Sequence, residues 1–183
     1  RSGYGDHSRD ILKSLFELDK FDIKIVPTRW GNTPQDQLDP KNEFHQRILQ
    51  NVVTQMDKQI DVFIQVSVAN EFRRIGKYNI GITAGVETTL APQDFIQGAN
   101  QMDLIITPSE FTKEVLQKTS YTQVDKRTQQ QTGIIKLEKP VEVLFEGVDE
   151  EIFNGKYDKN NDILKSVETD FNYLYVGHWL QGD

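Results

Sequence analysis

Apolar residues recur along this chain with two different periods. Between residues 6 and 18, Ile11, Leu12, Leu15, Phe16 and Leu18 fall at helical spacing. FDIKIVPT (21–28) alternates and is β-branched, which predicts a strand. Phe44, Ile48, Val52 and Met56 then mark one face of a second helix. IDVFIQVSV (60–68) is almost continuously apolar, as a strand buried on both faces of a parallel sheet must be. YNIGITAGV (78–86) and MDLIITPS (102–109) repeat that pattern, and VEVLFEGVD (141–149) reads as a strand and a turn. Between them, 92–101 opens with a proline suited to a helix start, and SEFTKEVLQK forms another helix behind Ser109. The polar segment 119–140 interrupts the rhythm and reads as an insertion or surface hairpin. Residues 29–43 are loop by their Gly, Pro, Asn and Asp content.

Alternating strands and helices predict an α/β fold: a parallel, doubly wound, Rossmann-like sheet with helices on both faces and a short β insertion. The opening, RSGYGDHSRDILKSL, reads as a glycine turn leading into a helix, which calls for a strand before it. Residues 154–170 are polar and linker-like, although Ile163, Leu164 and Val167 suit a short helical stretch. The strand predicted at 171–176 runs into Gly177 and calls for a helix after it. The expectation is a fragment of a longer protein. Residues 1–168 form one Rossmann-like domain without its first strand, and 169–183 begin a second, truncated domain.

Composition narrows the function. The 183 residues carry 21 Lys+Arg against 28 Asp+Glu, a formal net charge of −7. That balance argues against a large phosphate-backbone footprint, hence against nucleic acid as a partner. The chain has no cysteine, which removes thiolate chemistry and fits a reducing compartment. No apolar run approaches the roughly 20 residues that cross a bilayer, and the opening is unlike a signal peptide. The expectation is a soluble cytoplasmic protein, not transmembrane.

Candidate chemistry sits where predicted strands end, because open α/β sheets bind ligands at the carboxyl ends of their strands. Gly3, Tyr4 and Gly5 are either a tight turn or a backbone approach to a phosphate, with His7 as a donor beside it. Glu87, with Thr88 next to it, is the acid best placed for a site role; the alternative is a plain helix cap. Ser109 is a cleft residue or only an N-cap. Glu146 and Gly147 are cleft residues or a simple turn. Trp30 stacks on a sugar ring or packs a loop. No metal-ligand spacing, nucleophile elbow or Walker loop occurs.

NIGITAGVETTLAPQDFIQGANQMDLIITPSEFTKEVL, followed at a distance by VEVLFEGVDEEIF, resembles the N-terminal domain of the retaining GT-B glycosyltransferases of the family 4-like type. The residues that carry the resemblance are Asn100, Asp103, Pro108, Ser109 and Phe111, then Gly147, Val148, Asp149 and Phe153. SGYGDHSRDIL is similar to that family's glycine-rich loop after the first strand, and YLYVGHW, which contains Gly177, to the first strand of its donor domain. The chain departs from the pattern in its long 119–140 insertion and in lacking a histidine after the NIGITAGV strand.

The resemblance implies a hexosyltransferase-type enzyme. It would move a sugar from a nucleotide-sugar donor to a glycan, lipid or small-molecule acceptor, with retention and without a metal or other cofactor. Gly3, Tyr4, Gly5 and His7 would lie near the donor diphosphate. Glu87 would be the catalytic candidate, with Trp30, Thr88, Ser109, Glu146 and Gly147 in the cleft and Gly177 at a donor-domain turn. The other partner would be the missing C-terminal domain, or a second copy paired through 171–176. The competing reading is a non-catalytic Rossmann-like ligand-binding or regulatory domain. A dinucleotide oxidoreductase is weaker, because no GxGxxG pattern is followed by an acid at the next strand end.

Overall fold

The computed structural model describes residues 3–28, 36–55, 59–151, 153–156 and 165–174. The chain divides into two compact units, residues 1–146 and 147–183.

In the first unit, helix α1 (Gly3–Leu18) buries Phe16 and ends at Asp19, whose φ of 47° closes it in a left-handed turn. Helix α2 (Glu43–Gln50) is capped by Asn42, whose side chain accepts the His45 amide at 3.0 Å, and buries Ile48. Strand β1 (Val62–Val66) leads through a single 3-10 turn at Ala69–Glu71 to strand β2 (Tyr78–Ile82). Helix α3 (Gln93–Ala99), strand β3 (Leu104–Thr107) and helix α4 (Glu110–Lys118) follow. Ser109 caps α4, accepting the Thr112 amide at 3.1 Å. Strands β4 (Ser120–Val124) and β5 (Gln131–Lys136) form an antiparallel hairpin, and β6 (Val141–Val143) returns to the main sheet.

The main sheet is parallel, in the order β1-β2-β3-β6, and flanked by helices. Its register puts Gly81, Ile105 and Val141 side by side on one face. There Phe72 lies against Gly81, and Ile105 and Val141 join a core with Ile96, Ala99, Met102, Val115 and Leu116. Ile96 and Ala99 of α3 and Val115 and Leu116 of α4 join this one core, so the two helices share it. The closest backbone approach is at Gly98, where a Cβ would lie 2.0 Å from the Ala69 carbonyl oxygen. Only glycine lets α3 settle that near the 3-10 turn.

The 119–140 segment is the hairpin expected of it, and it is anchored. Ile135 and Leu137 pack on the core, and Tyr121 Oη donates to the Ala91 carbonyl at 2.5 Å. Asn100 donates to the Lys136 carbonyl at 2.9 Å and accepts the Glu138 amide at 2.8 Å.

Several expectations are corrected. Gly3, Tyr4 and Gly5 form the first turn of α1, not a loop: the helix period set by Ile11, Leu15 and Phe16 extends back through them. Residues 21–28 form one parallel bridge, Ile25 with Val52, held by Ile25 N–H to Asn51 O and Val53 N–H to Ile25 O, both 2.9 Å. That bridge lies outside the four-stranded sheet, whose strands run in the order β1-β2-β3-β6. Val52 falls outside α2, which the Asn51 amide closes by donating to the Ile48 carbonyl at 3.0 Å. Met56, Ile163 and Leu164 lie outside the described residues.

In the second unit, Phe153 N–H donates to the Asp149 carbonyl at 2.8 Å, and Phe171 meets Tyr173 edge-on at 5.0 Å. Residues 171–174 form no strand and are exposed. Residues 175 and 176 of the expected strand lie outside the described residues. No described helix is long and apolar enough to cross a membrane.

Candidate functional site

Three parallel strands and two helix starts meet at the carboxyl end of the sheet. Strand β2 leads into Thr83–Ala84–Gly85, β3 into Pro108 and Ser109, and β6 into Leu144, Phe145 and Glu146. The first turn of α1 reaches this end through two side chains. Tyr4 Oη accepts the Ala84 amide at 3.3 Å and is hydrogen-bonded to Thr83 Oγ1 at 3.2 Å. His7 Nδ1 lies 2.9 Å from Glu146 Oε1, across 139 residues of sequence.

The two members of that pair differ in exposure. The His7 side chain is 16% exposed and that of Glu146 57%. With the carboxylate accepting at Nδ1, the other ring nitrogen, Nε2, is left for an outside partner: it makes no hydrogen bond among the described residues. A carboxylate that fixes ring orientation in this way leaves Nε2 as acceptor in the neutral ring and donor in the charged one. Helix α1 adds its N-terminal partial charge, which favours an anion there. Its own first turn contains Asp6, which is paired with Arg9.

The other candidates distribute around this cluster. Gly3 faces open space. Gly5 lies within α1, so it does not present a loop amide. Ser109 is the cap of α4, and Thr88 closes a local turn by donating to the Leu90 carbonyl at 2.9 Å. Glu87 is exposed on the loop after β2 and makes no hydrogen bond or ion pair among the described residues. Gly147, with open space around it, begins the second unit. Trp30 and Gly177 lie outside the described residues.

Thr83 is a residue that the pattern alone passed over. It is buried, and its hydroxyl meets both Tyr4 Oη and the Gly85 amide, the latter at 3.3 Å. Its place directly after a buried strand was the available signal.

A hollow of about 360 Å³ lies elsewhere, between α1 and α2, lined by Lys13, Phe16, Glu17, Phe44 and Arg47. Arg47, one of the two cations lining it, stacks over the Phe16 ring at 4.3 Å and pairs with Asp19.

Compared with known proteins, the chain matches no family model, no curated protein and no solved structure. A functional reading therefore rests on its own residues.

Proposed function

We propose that this chain is the acceptor-side part of a retaining GT-B glycosyltransferase, which transfers a sugar from a nucleotide-sugar donor to a glycan, lipid or small-molecule acceptor. The observation that carries the reading is the His7–Glu146 contact at the carboxyl ends of the strands. It joins the SGYGDHS and EGVD segments, two separate parts of the resemblance, at one point.

In this reading His7 is oriented by Glu146 and turns Nε2–H toward the donor diphosphate. Charge builds on that group as the glycosidic bond breaks, and a preoriented donor offsets it. The first-turn amides of α1 act in the same direction. Glu87 stands on the neighbouring loop as the acid that meets the acceptor. Donor binding belongs mainly to a second domain, which the reading starts at residue 169.

The test uses full-length protein with a panel of nucleotide sugars, following nucleotide release and the mass of candidate acceptors. One donor should be consumed with stoichiometric acceptor glycosylation. His7→Gln should lower kcat about a hundredfold, the smaller end of what a positioned proton donor contributes. If no donor is turned over, or His7→Gln is as active as the parent, the reading fails. Tight binding of a small ligand without turnover would favour the non-catalytic Rossmann-like module instead.

A further inference from the structure

Thr112 stands in the first turn of α4, directly behind the cluster, and is 3% exposed. Its hydroxyl lies 3.1 Å from Ser109 Oγ and 3.4 Å from the Ala84 carbonyl oxygen, the second being a weak contact. Its methyl does more. Gly85 adopts φ +86°, and a Cβ built there would lie 2.0 Å from Thr112 Cγ2. The methyl fills the space that any side chain at position 85 would need.

The turn 83–85 is thereby held from both sides. Thr112 of α4 supports it at Ala84 and Gly85, and Tyr4 of α1 accepts the Ala84 amide. The Ala84 and Gly85 amides both donate to side-chain oxygens, Tyr4 Oη and Thr83 Oγ1. Neither is part of the sheet ladder, so each reports on this turn alone. One turn further along α1 is His7.

We propose that Thr112 is a positioning residue for the candidate site. Its methyl, seated against Gly85, fixes the turn that Tyr4 grips and so sets where α1 begins and where His7 meets Glu146. What the cluster does with that geometry rests on the glycosyl-transfer reading; the positioning does not.

Two substitutions in the full-length protein separate the methyl from the hydroxyl. Thr112→Ser keeps the hydroxyl and removes the methyl, whereas Thr112→Val keeps the shape and removes the hydroxyl. The measurements are amide hydrogen exchange at Ala84 and Gly85, and steady-state kinetics with the donor varied. Thr112→Ser should speed exchange at both amides about tenfold, as local opening becomes easier. It should lower kcat about fivefold with KM within about twofold, because misplacement acts on the reacting geometry. Thr112→Val should hold both readouts within about twofold of the parent. Gly85→Ala attacks the same contact from the other side and should also speed exchange at both amides.

Unchanged exchange in Thr112→Ser or in Gly85→Ala overturns the proposal. So does a Thr112→Val variant as impaired as Thr112→Ser. If exchange follows the expected order while the parent turns over no nucleotide sugar, the positioning stands and the transfer reading alone falls.

Discussion

At the amino-terminal end of the sheet, Asn79 is fully buried and every polar atom of its side chain is used. Its Oδ1 accepts the Ile75 and Gly76 amides, both at 2.8 Å, and its Nδ2 donates to the Gly76 carbonyl at 3.0 Å and Asp103 Oδ2 at 3.1 Å. Asp103 also accepts the Asn79 amide at 2.9 Å and pairs with Arg74 at 2.8 Å. At the carboxyl end, by contrast, the His7 and Glu146 side chains make one hydrogen bond among the described residues, with each other, and Glu146 is mostly in water. Buried polar groups that are all satisfied specify a single structure. Groups held by one exposed contact stay free to exchange it for a ligand. Hydrogen bonding is dense around Asn79 and sparse around the His7–Glu146 pair.

The largest effect should come from breaking the secured end. Asn79→Ala leaves the Ile75 and Gly76 amides and the Gly76 carbonyl without their side-chain partner, removes one of the hydrogen bonds to Asp103, and should cost about 3 kcal/mol of stability, measured by urea unfolding. The activity of each molecule that remains folded should not change. A loss of less than about 1 kcal/mol would mean that water replaces the asparagine and that the contrast between the two ends is weak.

Acid should act on the same end. Arg74 and then Asn79, by hydrogen bonding, hold the Asp103 carboxyl well below its ordinary 3.8, at about 2. Because the folded value is the lower one, the stability it contributes is complete above pH 3.8. It is lost as pH falls from there through about 2. In Asp103→Asn, unfolding between those pH values should be less steep than in the parent. Equal steepness would show that Asp103 is not the group responsible.

The carboxyl end should answer the opposite way. His7→Gln and Glu146→Gln should each change stability by less than about 1 kcal/mol, as expected for an exposed pair. Both should lower turnover, and the double variant should lose no more than either alone. Large destabilisation with normal turnover would make the pair a structural clasp.

Glu87→Gln should have the smallest effect on stability, within about 0.5 kcal/mol, because the side chain is exposed and unpaired among the described residues. Reduced acceptor turnover in this variant would place Glu87 in the site. Unchanged kcat and KM would leave it a surface residue.

The residues that carry the family resemblance divide along the same line. Asn100 staples the hairpin to α3, Asp103 joins Asn79, and Ser109 caps α4. Those three are explained by folding alone, so their presence says little about catalysis. In the EGVD segment, the Glu146 side chain makes one hydrogen bond among the described residues, to His7.

The sequence by itself determined the elements whose causes are local. The Ser109 cap acts over three residues, the β1, β2 and β3 strands announce themselves by nearly unbroken apolar runs, and the 119–140 hairpin by its polarity. Glycines near a helix start misled, because Gly is as compatible with a first helical turn as with a loop when later residues carry the period. Only the tertiary structure decided which polar residues meet. Tyr4 with Thr83 is a contact across 79 residues and His7 with Glu146 one across 139. Such pairings depend on strand order and register, which no short window of sequence contains. The methyl of Thr112 against Gly85 depends further on the close packing of α4 on the turn, where a Cβ at position 85 would lie 2.0 Å from Thr112 Cγ2.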